Sequence, residues 1–157
     1  MSGPAGPDGP VGLGHYRTAF DFVVDGPPET IAELFGAHRE RSWEPGWDPR
    51  FLHPQPARDC AGAVFLLPGP RHGVGVTTAY DPIGGRVQHA FLVPGTVAIL
   101  IDIEVTPLGE GASAVSVTYE HTALDPGRND DVRDMARQVA AYGPIWRAQI
   151  VASMTGR

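Results

Sequence analysis

The chain contains no lysine; all twelve of its basic residues are arginine. Without a lysine amine, no Schiff base can form with a carbonyl substrate, and that branch of covalent chemistry is excluded. The arginines are scattered rather than clustered and read as the codon bias of a GC-rich genome. The net charge is −6. Nucleic acid, whose phosphates demand a basic face, is therefore not expected as a partner. Cysteine is almost absent. Cys60 stands alone, so no internal disulfide can form, and it reads as a small buried apolar residue in a reducing, cytoplasmic setting. No apolar run approaches the roughly 18 residues of a membrane span, and no charged region followed by an apolar one marks a signal peptide. There is no Gly-x-Ser-x-Gly elbow and no glycine-rich loop leading into a helix with Lys-Ser/Thr, so serine hydrolysis and nucleotide binding lack support. His15, His38, His53 and His72 fall in tail, helix-end or loop contexts, and no His, Asp or Glu cluster has ligand spacing. Neither a metal nor a cofactor is expected.

What is present describes a single soluble-type domain. At 157 residues, with 42% hydrophobic and 19% charged content, the chain can bury a core and a modest internal cavity. Glycine at positions 3, 6, 9 and 12 imitates a collagen period for four triplets, too few for a triple helix. Residues 1–14 are expected to be a disordered Gly/Pro-rich tail, and residues 15–157 one domain.

Alternation along His15–Asp25 puts Tyr16, Thr18, Phe20, Phe22 and Val24 on one face of a first strand. Pro27-Pro28-Glu29 opens a short helix with Ile31, Leu34 and Phe35 as its apolar side, because a first-turn proline lacks only an N–H that would be unpaired anyway. A turn or short helix through Arg39–Trp43 leads into the aromatic stretch Trp43–Leu52. Five strands are expected near Ala61–Leu67, Val74–Tyr80, Arg86–Val93, Val97–Thr106 and Ser113–Ala123. They are joined by Gly/Pro-rich connections suited to hairpins, which makes an antiparallel meander. From Asn129, placed as an N-cap, to Met154 the residues Val132, Met135, Ala136, Val139, Tyr142, Trp146, Ile150 and Ser153 follow a helical stripe. Pro144 interrupts it and predicts a kink at Gly143-Pro144.

The same alternation sorts the strands by face. The inner sets are Val74, Val76, Thr78 and Tyr80; Val87, His89, Phe91 and Val93; Ile99, Ile101, Ile103 and Val105; and Val115, Val117, Tyr119 and His121. A Pro94–Thr96 turn would set Val93 opposite Val97 and His89 opposite Ile101, with Thr78 opposite His89 and able to bond it. The polar members of an apolar inner face (Thr78, Tyr80, His89, Tyr119, His121) are where a binding function would reside, since a ligand pocket is apolar with a few orienting polar groups. His89 and His121 lie two strands apart and out of level by two residues, roughly 12 Å between Cα atoms. Zinc–nitrogen bonds of about 2 Å do not close that gap. Trp43 reads as core under the first helix, Trp47 as lining the cavity mouth or capping the sheet, and Arg71-His72-Gly73 as a rim.

A strand, short helices, a β-meander and a long final helix is an order that resembles the START-like (SRPBCC) superfamily. That superfamily includes birch-pollen-type allergens, lipid-transfer domains and aromatic polyketide cyclases. The resemblance rests on Pro27-Pro28-Glu29-Thr30-Ile31 with Leu34-Phe35, on the Trp43–Leu52 stretch as the loop and short helix that follow, and on the Ala-, Val- and Trp-lined C-terminal helix. It covers residues 15 to 155 and concerns fold rather than activity. It implies an α+β helix-grip fold, a curved antiparallel sheet of six to seven strands around a long C-terminal helix. It also implies an apolar or amphipathic ligand held between them.

The reading that follows is binding of a hydrophobic or aromatic small molecule, with Trp47, Tyr80, His89, Phe91, Tyr119, His121, Met135 and Trp146 as cavity residues. The alternative is an enzyme of the polyketide cyclase or dehydratase type. In it His89 or His121 would be the base, and Tyr80 or Tyr119 would hydrogen-bond an enolate oxygen. This makes His89, His121 and Tyr119 the catalytic candidates. A third reading, a co-chaperone-like interaction module, needs a contiguous surface patch, and the outward charges are only scattered. Homodimerisation is left open.

Overall fold

A computed structural model of the chain describes residues 12–69 and 72–156. Most of the expected tail (1–11) and Arg71 of the expected rim lie outside the described residues. The architecture is one seven-stranded antiparallel sheet with helices on one face. The strands are β1 (His15–Asp25), β2 (Arg50–His53), β3 (Val64–Leu66), β4 (Val74–Asp81), β5 (Arg86–Val93), β6 (Val97–Pro107) and β7 (Ala112–Ala123). The helices are α1 (Pro28–Glu33), α2 (Asn129–Val139) and α3 (Tyr142–Thr155), with short 3-10 turns at Arg39–Ser42 and Pro126–Arg128. The spatial order is β1-β7-β6-β5-β4-β3-β2, so the first strand pairs with the last and the consecutive hairpins fill the space between.

The hairpins come out in the register that their turns dictate. Val93 faces Val97 and His89 faces Ile101 across β5–β6, and Ile101 faces Tyr119 across β6–β7. The inner sets of β1, β5, β6 and β7 point at the helices as expected. Phe22, Val24, Val87, Ile101, Ile103, Val105, Val115 and Val117 form the main core with Ile31, Leu34 and Phe35 of the first helical segment and with Val139, Trp146 and Ile150. Trp43 is buried there too, and its Nε1 donates to the Leu34 carbonyl at 2.7 Å.

Four expectations need correction. In β4 a bulge falls at Thr78, because Thr77 pairs with His89 and Ala79 with Gln88. The extra residue flips the alternation, so Gly75 and Thr77 face inward, Val74 and Val76 face outward, and Thr77 rather than Thr78 bonds His89. Thr78 is exposed and donates to Gln88 Oε1 instead (2.8 Å). Gly75 has no room for a side chain, since a Cβ there would strike the Phe65 ring.

The second correction concerns residues 50–53, read from sequence as part of a loop and short helix. They form the edge strand β2, whose Phe51 pairs with Phe65 of β3. The run expected at Ala61–Leu67 narrows to Val64–Leu66, because Ala61-Gly62 is a turn with Gly62 at φ +90°. Cys60, half-buried, packs against a second, smaller core of Ala37, Phe51, Ala63 and Phe65.

Third, the C-terminal helix is two helices. The break falls at Ala140–Ala141, just before the predicted kink at Gly143-Pro144. In a continuous helix the Pro144 ring would strike the carbonyl of Ala140, and the missing N–H would leave that carbonyl unbonded. Ending α2 at Val139 and restarting at Tyr142 moves Pro144 into a first turn, where both problems vanish.

Fourth, Asn129 is not an N-cap. Arg128 holds that position, and the Asn129 side chain instead ties down the entry to β1. Its Oδ1 accepts from the Gly14 N–H at 2.7 Å, and its Nδ2 donates to the Gly12 carbonyl at 3.0 Å.

Candidate functional site

The site begins with a local accident of sequence between β1 and β2. The carboxylate of Asp59 accepts from the backbone N–H groups of His38 (2.7 Å) and Arg39 (3.0 Å), capping the 3-10 turn. Gly36 is glycine because a Cβ would run into that carboxylate. The turn continues with the Glu44 N–H donating to the Glu40 carbonyl at 2.9 Å. Glu40 and Glu44 are thereby one helical turn apart and on one side. Both side chains line a small chamber under the sheet, with Trp47, His89, Phe91, Ile101, Ile103, Tyr119 and Trp146.

The chamber, of about 40 Å³, holds little more than a water. It is the inner end of a larger open cleft of about 450 Å³ between β5–β7 and the C-terminal helices. The two share Glu44, Phe91, Tyr119 and Trp146. The cleft adds Ile99, His121, Met135, Gln138, Tyr142 and Gln149. Deeper space is filled by rings. Trp146 lies 5.2 Å from Phe20, 5.4 Å from Trp43 and 6.0 Å from Phe35 between ring centroids. The grip is therefore closed at its centre and open at one side.

Of the residues singled out from sequence, Phe91, Tyr119, His121, Met135 and Trp146 line the cleft, while Trp47 and His89 line the chamber. Trp47 is fixed by its Nε1 donating to the Ala37 carbonyl at 2.8 Å and stacks on Phe91 at 5.8 Å. Tyr80 lines neither; it packs against the main core, and burial, with Asp59 and Glu33 nearby, pushes its hydroxyl up to about 12. Glu40, Glu44 and Gln149 were not anticipated. The signal was the Glu-x-x-x-Glu spacing interleaved with Trp43 and Trp47, hidden in a charged segment that reads as a solvated turn.

The two inward histidines differ in chemistry. His89, 2% exposed, uses both ring nitrogens. Nε2 donates to the Phe35 carbonyl at 2.7 Å, and Nδ1 accepts from the Thr77 hydroxyl at 3.1 Å. Burial lowers its pKa from the ordinary value, partly countered by the bond to Phe35. A neutral imidazole with no free lone pair is a structural clamp, ill-suited to take a proton. His121 is also 2% exposed, but its Nδ1 is buried with no hydrogen-bond partner among the described residues. It stacks on Tyr119 at 5.7 Å, and burial lowers its pKa as well. The Oε1 of Gln149, on the same cleft wall, is likewise buried without a partner.

The acids are displaced in the opposite direction. Glu40 is 7% exposed, and burial, with Glu44 and Asp59 adding repulsion, holds its pKa well above the carboxylate range. Burial pushes Glu44 up to about 7. Tyr119 is raised well above its ordinary value by burial, with Glu40, Glu44 and Tyr142 contributing, and Tyr142 by burial with Glu44. Among the described residues no three His, Cys, Asp or Glu converge on a common metal position. No helix there is long and apolar enough to cross a membrane.

Against solved structures the whole architecture finds counterparts. Norcoclaurine synthase from Thalictrum flavum superposes with a TM-score of 0.63 at 12% identity, over 91% of this chain and 87% of that one. The shared fold is a helix grip. CalU16 from Micromonospora echinospora gives a TM-score of 0.64 at 13% identity, covering 92% of this chain and 82% of its own. A protein from Thermobifida fusca gives 0.65 at 15% identity, covering 88% and 95%. No family model matches the sequence, and no curated protein matches it. At such identities the helix-grip likeness concerns the fold, and the chemistry has to be read from this chain's own cleft.

Proposed function

We propose that the protein binds an apolar or aromatic small molecule in the cleft between the sheet and helices α2 and α3. The observation that carries this reading is an aromatic-walled cleft of about 450 Å³ with His121 Nδ1 and Gln149 Oε1 left unpaired on it. A buried polar atom without a partner costs about 1–3 kcal/mol, so such atoms mark where a partner is meant to arrive. The geometry of an apolar wall with a few converging polar atoms is that of a ligand site. A second depression of about 440 Å³, on the outer face of the sheet around Val74, Val76, Leu92 and Leu100, is apolar but has His15 and Glu120 already paired at its rim. It offers nothing to orient a ligand. The structural neighbour norcoclaurine synthase has been crystallised with dopamine and hydroxybenzaldehyde, both small and aromatic, which makes a ligand of that size reasonable here.

Trp47 and Trp146 report on the site directly. Titrating 2-phenylethanol against tryptophan fluorescence is expected to give a saturable change that Trp146→Ala weakens. No saturable change up to about 10 mM, a free energy near −3 kcal/mol, with this alcohol or with an amine or acid of similar size would remove the binding reading.

An enzymatic variant, of the cyclase or dehydratase type, draws on one observation. Glu44, pushed up to about 7 and beside Tyr119 and Tyr142, has the proton affinity of a general acid–base at neutral pH. In this variant the base would be Glu44, since His89 has no lone pair to spend. Its test is turnover: Glu44→Gln should lose roughly a hundredfold while still binding.

A further inference from the structure

The Glu40 and Glu44 carboxyls face an aromatic chamber and no cation faces them. Neither is in an ion pair among the described residues, and no arginine lines the cleft or the chamber. Glu40 is as deeply buried as the core around it, which for an unpaired acid demands an explanation. A divalent cation is a poor answer, since no third ligand joins them among the described residues. A second and separate observation comes from the other wall. The Nδ1 of His121 and the Oε1 of Gln149 are buried and unpartnered along the same cleft. Taken together, the site presents two carboxyls outside any ion pair among the described residues, with a buried amide oxygen and a buried imidazole nitrogen without partners, all able to accept a hydrogen bond. The walls between them are the rings of Trp47, Phe91, Tyr119, Tyr142 and Trp146.

We infer that the ligand is an organic cation, an aromatic molecule bearing a protonated amine whose N–H groups meet Glu44 and Glu40 at the inner end of the cleft. This rests on the cleft being the binding site. An acceptor-rich, cation-free site needs a donor-rich ligand. An ammonium supplies three donors and the missing positive charge, and aromatic faces favour it further through their quadrupoles. The aromatic portion of the ligand extends outward against Phe91, Tyr142 and Met135, with His121 and Gln149 within the same cleft for a second polar substituent. An anionic ligand of equal size would meet two acids and no arginine.

The pH behaviour follows from which groups face the amine. Glu40 shares its turn, and Asp59 stands behind it. His89 comes from β5, Tyr119 and His121 from β7, and Tyr142 from α3. Both histidines are held below their ordinary value and both tyrosines above theirs, so Glu44, pushed up to about 7, is the group here that gains charge as the pH rises through 7. A primary amine stays protonated to about pH 10.

The experiment is a fluorescence titration of the full chain with three probes matched in size: 2-phenylethylamine, 2-phenylethanol and 3-phenylpropionate. The expected result at pH 8 is amine binding at least about tenfold tighter than the alcohol, with the acid weakest. From pH 6 to pH 8 the amine should tighten and the alcohol stay constant. In Glu44→Gln the amine should fall to the level of the alcohol, while an unchanged far-ultraviolet circular dichroism spectrum certifies that the variant is folded. Equal binding of amine and alcohol, or tighter binding of the acid, overturns the cation inference and leaves the cleft reading intact. Failure of all three probes overturns both.

Discussion

His89 illustrates how a residue can look catalytic in sequence and be architectural in space. Its ring joins β5 to the helical segment through Phe35 and to β4 through Thr77, two bonds made by a buried side chain. Thr77→Val is isosteric but strips the donor from Nδ1. It is expected to lower stability by about 1–3 kcal/mol in urea unfolding, with the cleft probes still binding. His121, two strands from β5 and with its Nδ1 unpartnered among the described residues, is the opposite case. His121→Phe should cost little stability, since it removes an unsatisfied atom and keeps the stack on Tyr119. Both histidines were visible as polar positions on an apolar face. Which one was satisfied was not, because the partners are the Phe35 carbonyl, 54 residues away, and a hydroxyl displaced by a bulge.

Among the elements, the break before α3 shapes the cleft most. It lets Tyr142 and Trp146 turn toward β7, where Tyr142 lies 6.1 Å from Tyr119 and Trp146 lies 6.4 Å from it. The start of α3 sits close on β1. A Cβ on Gly143 would stand 3.3 Å from the Asp21 carbonyl and 3.5 Å from the Phe20 ring. Gly143→Leu should therefore lift the helix off the strand and destabilise the protein by about 1–3 kcal/mol. Its thermal unfolding midpoint is expected to drop, and cleft binding with it. The helical stripe from Val132 to Ser153 was plain in the sequence, as was the proline that disrupts it. The place of the break was decided by the clash between Pro144 and the carbonyl four residues earlier. β2 went unread because four residues between two prolines carry too little pattern to declare a strand.

For the whole molecule, the buried acids make stability depend on pH in a definite sense. Glu44 titrates near 7 in the folded protein and near 4.5 when unfolded, so the folded state holds the extra proton between those values. Its contribution is full below about pH 4.5 and is lost as the pH rises through about 7. His89 and His121, held below 6.5 in the fold, act the other way: what they contribute is present above 6.5 and is lost as the pH falls below it. Glu44→Gln, fixed in the neutral form, should match wild type near pH 4.5 and melt a few degrees higher at pH 8. Equal melting points at pH 8 would mean that Glu44 is not in fact desolvated.

Sequence alone determined the periodic features. Alternation set the inner faces of β1, β5, β6 and β7, turn residues set the hairpin registers, and the helical stripe set the gripped face, since each depends on neighbours a few residues apart. The resemblance to a helix-grip order followed from those. The tertiary structure decided what depends on distant partners. Asp59 caps a turn some twenty residues upstream and so aims two glutamates inward, a bulge exchanges Thr78 for Thr77, and three tryptophan and phenylalanine contacts close the centre around Trp146 while leaving one side open. Charged residues in a short turn look solvated until the chain folds a sheet over them.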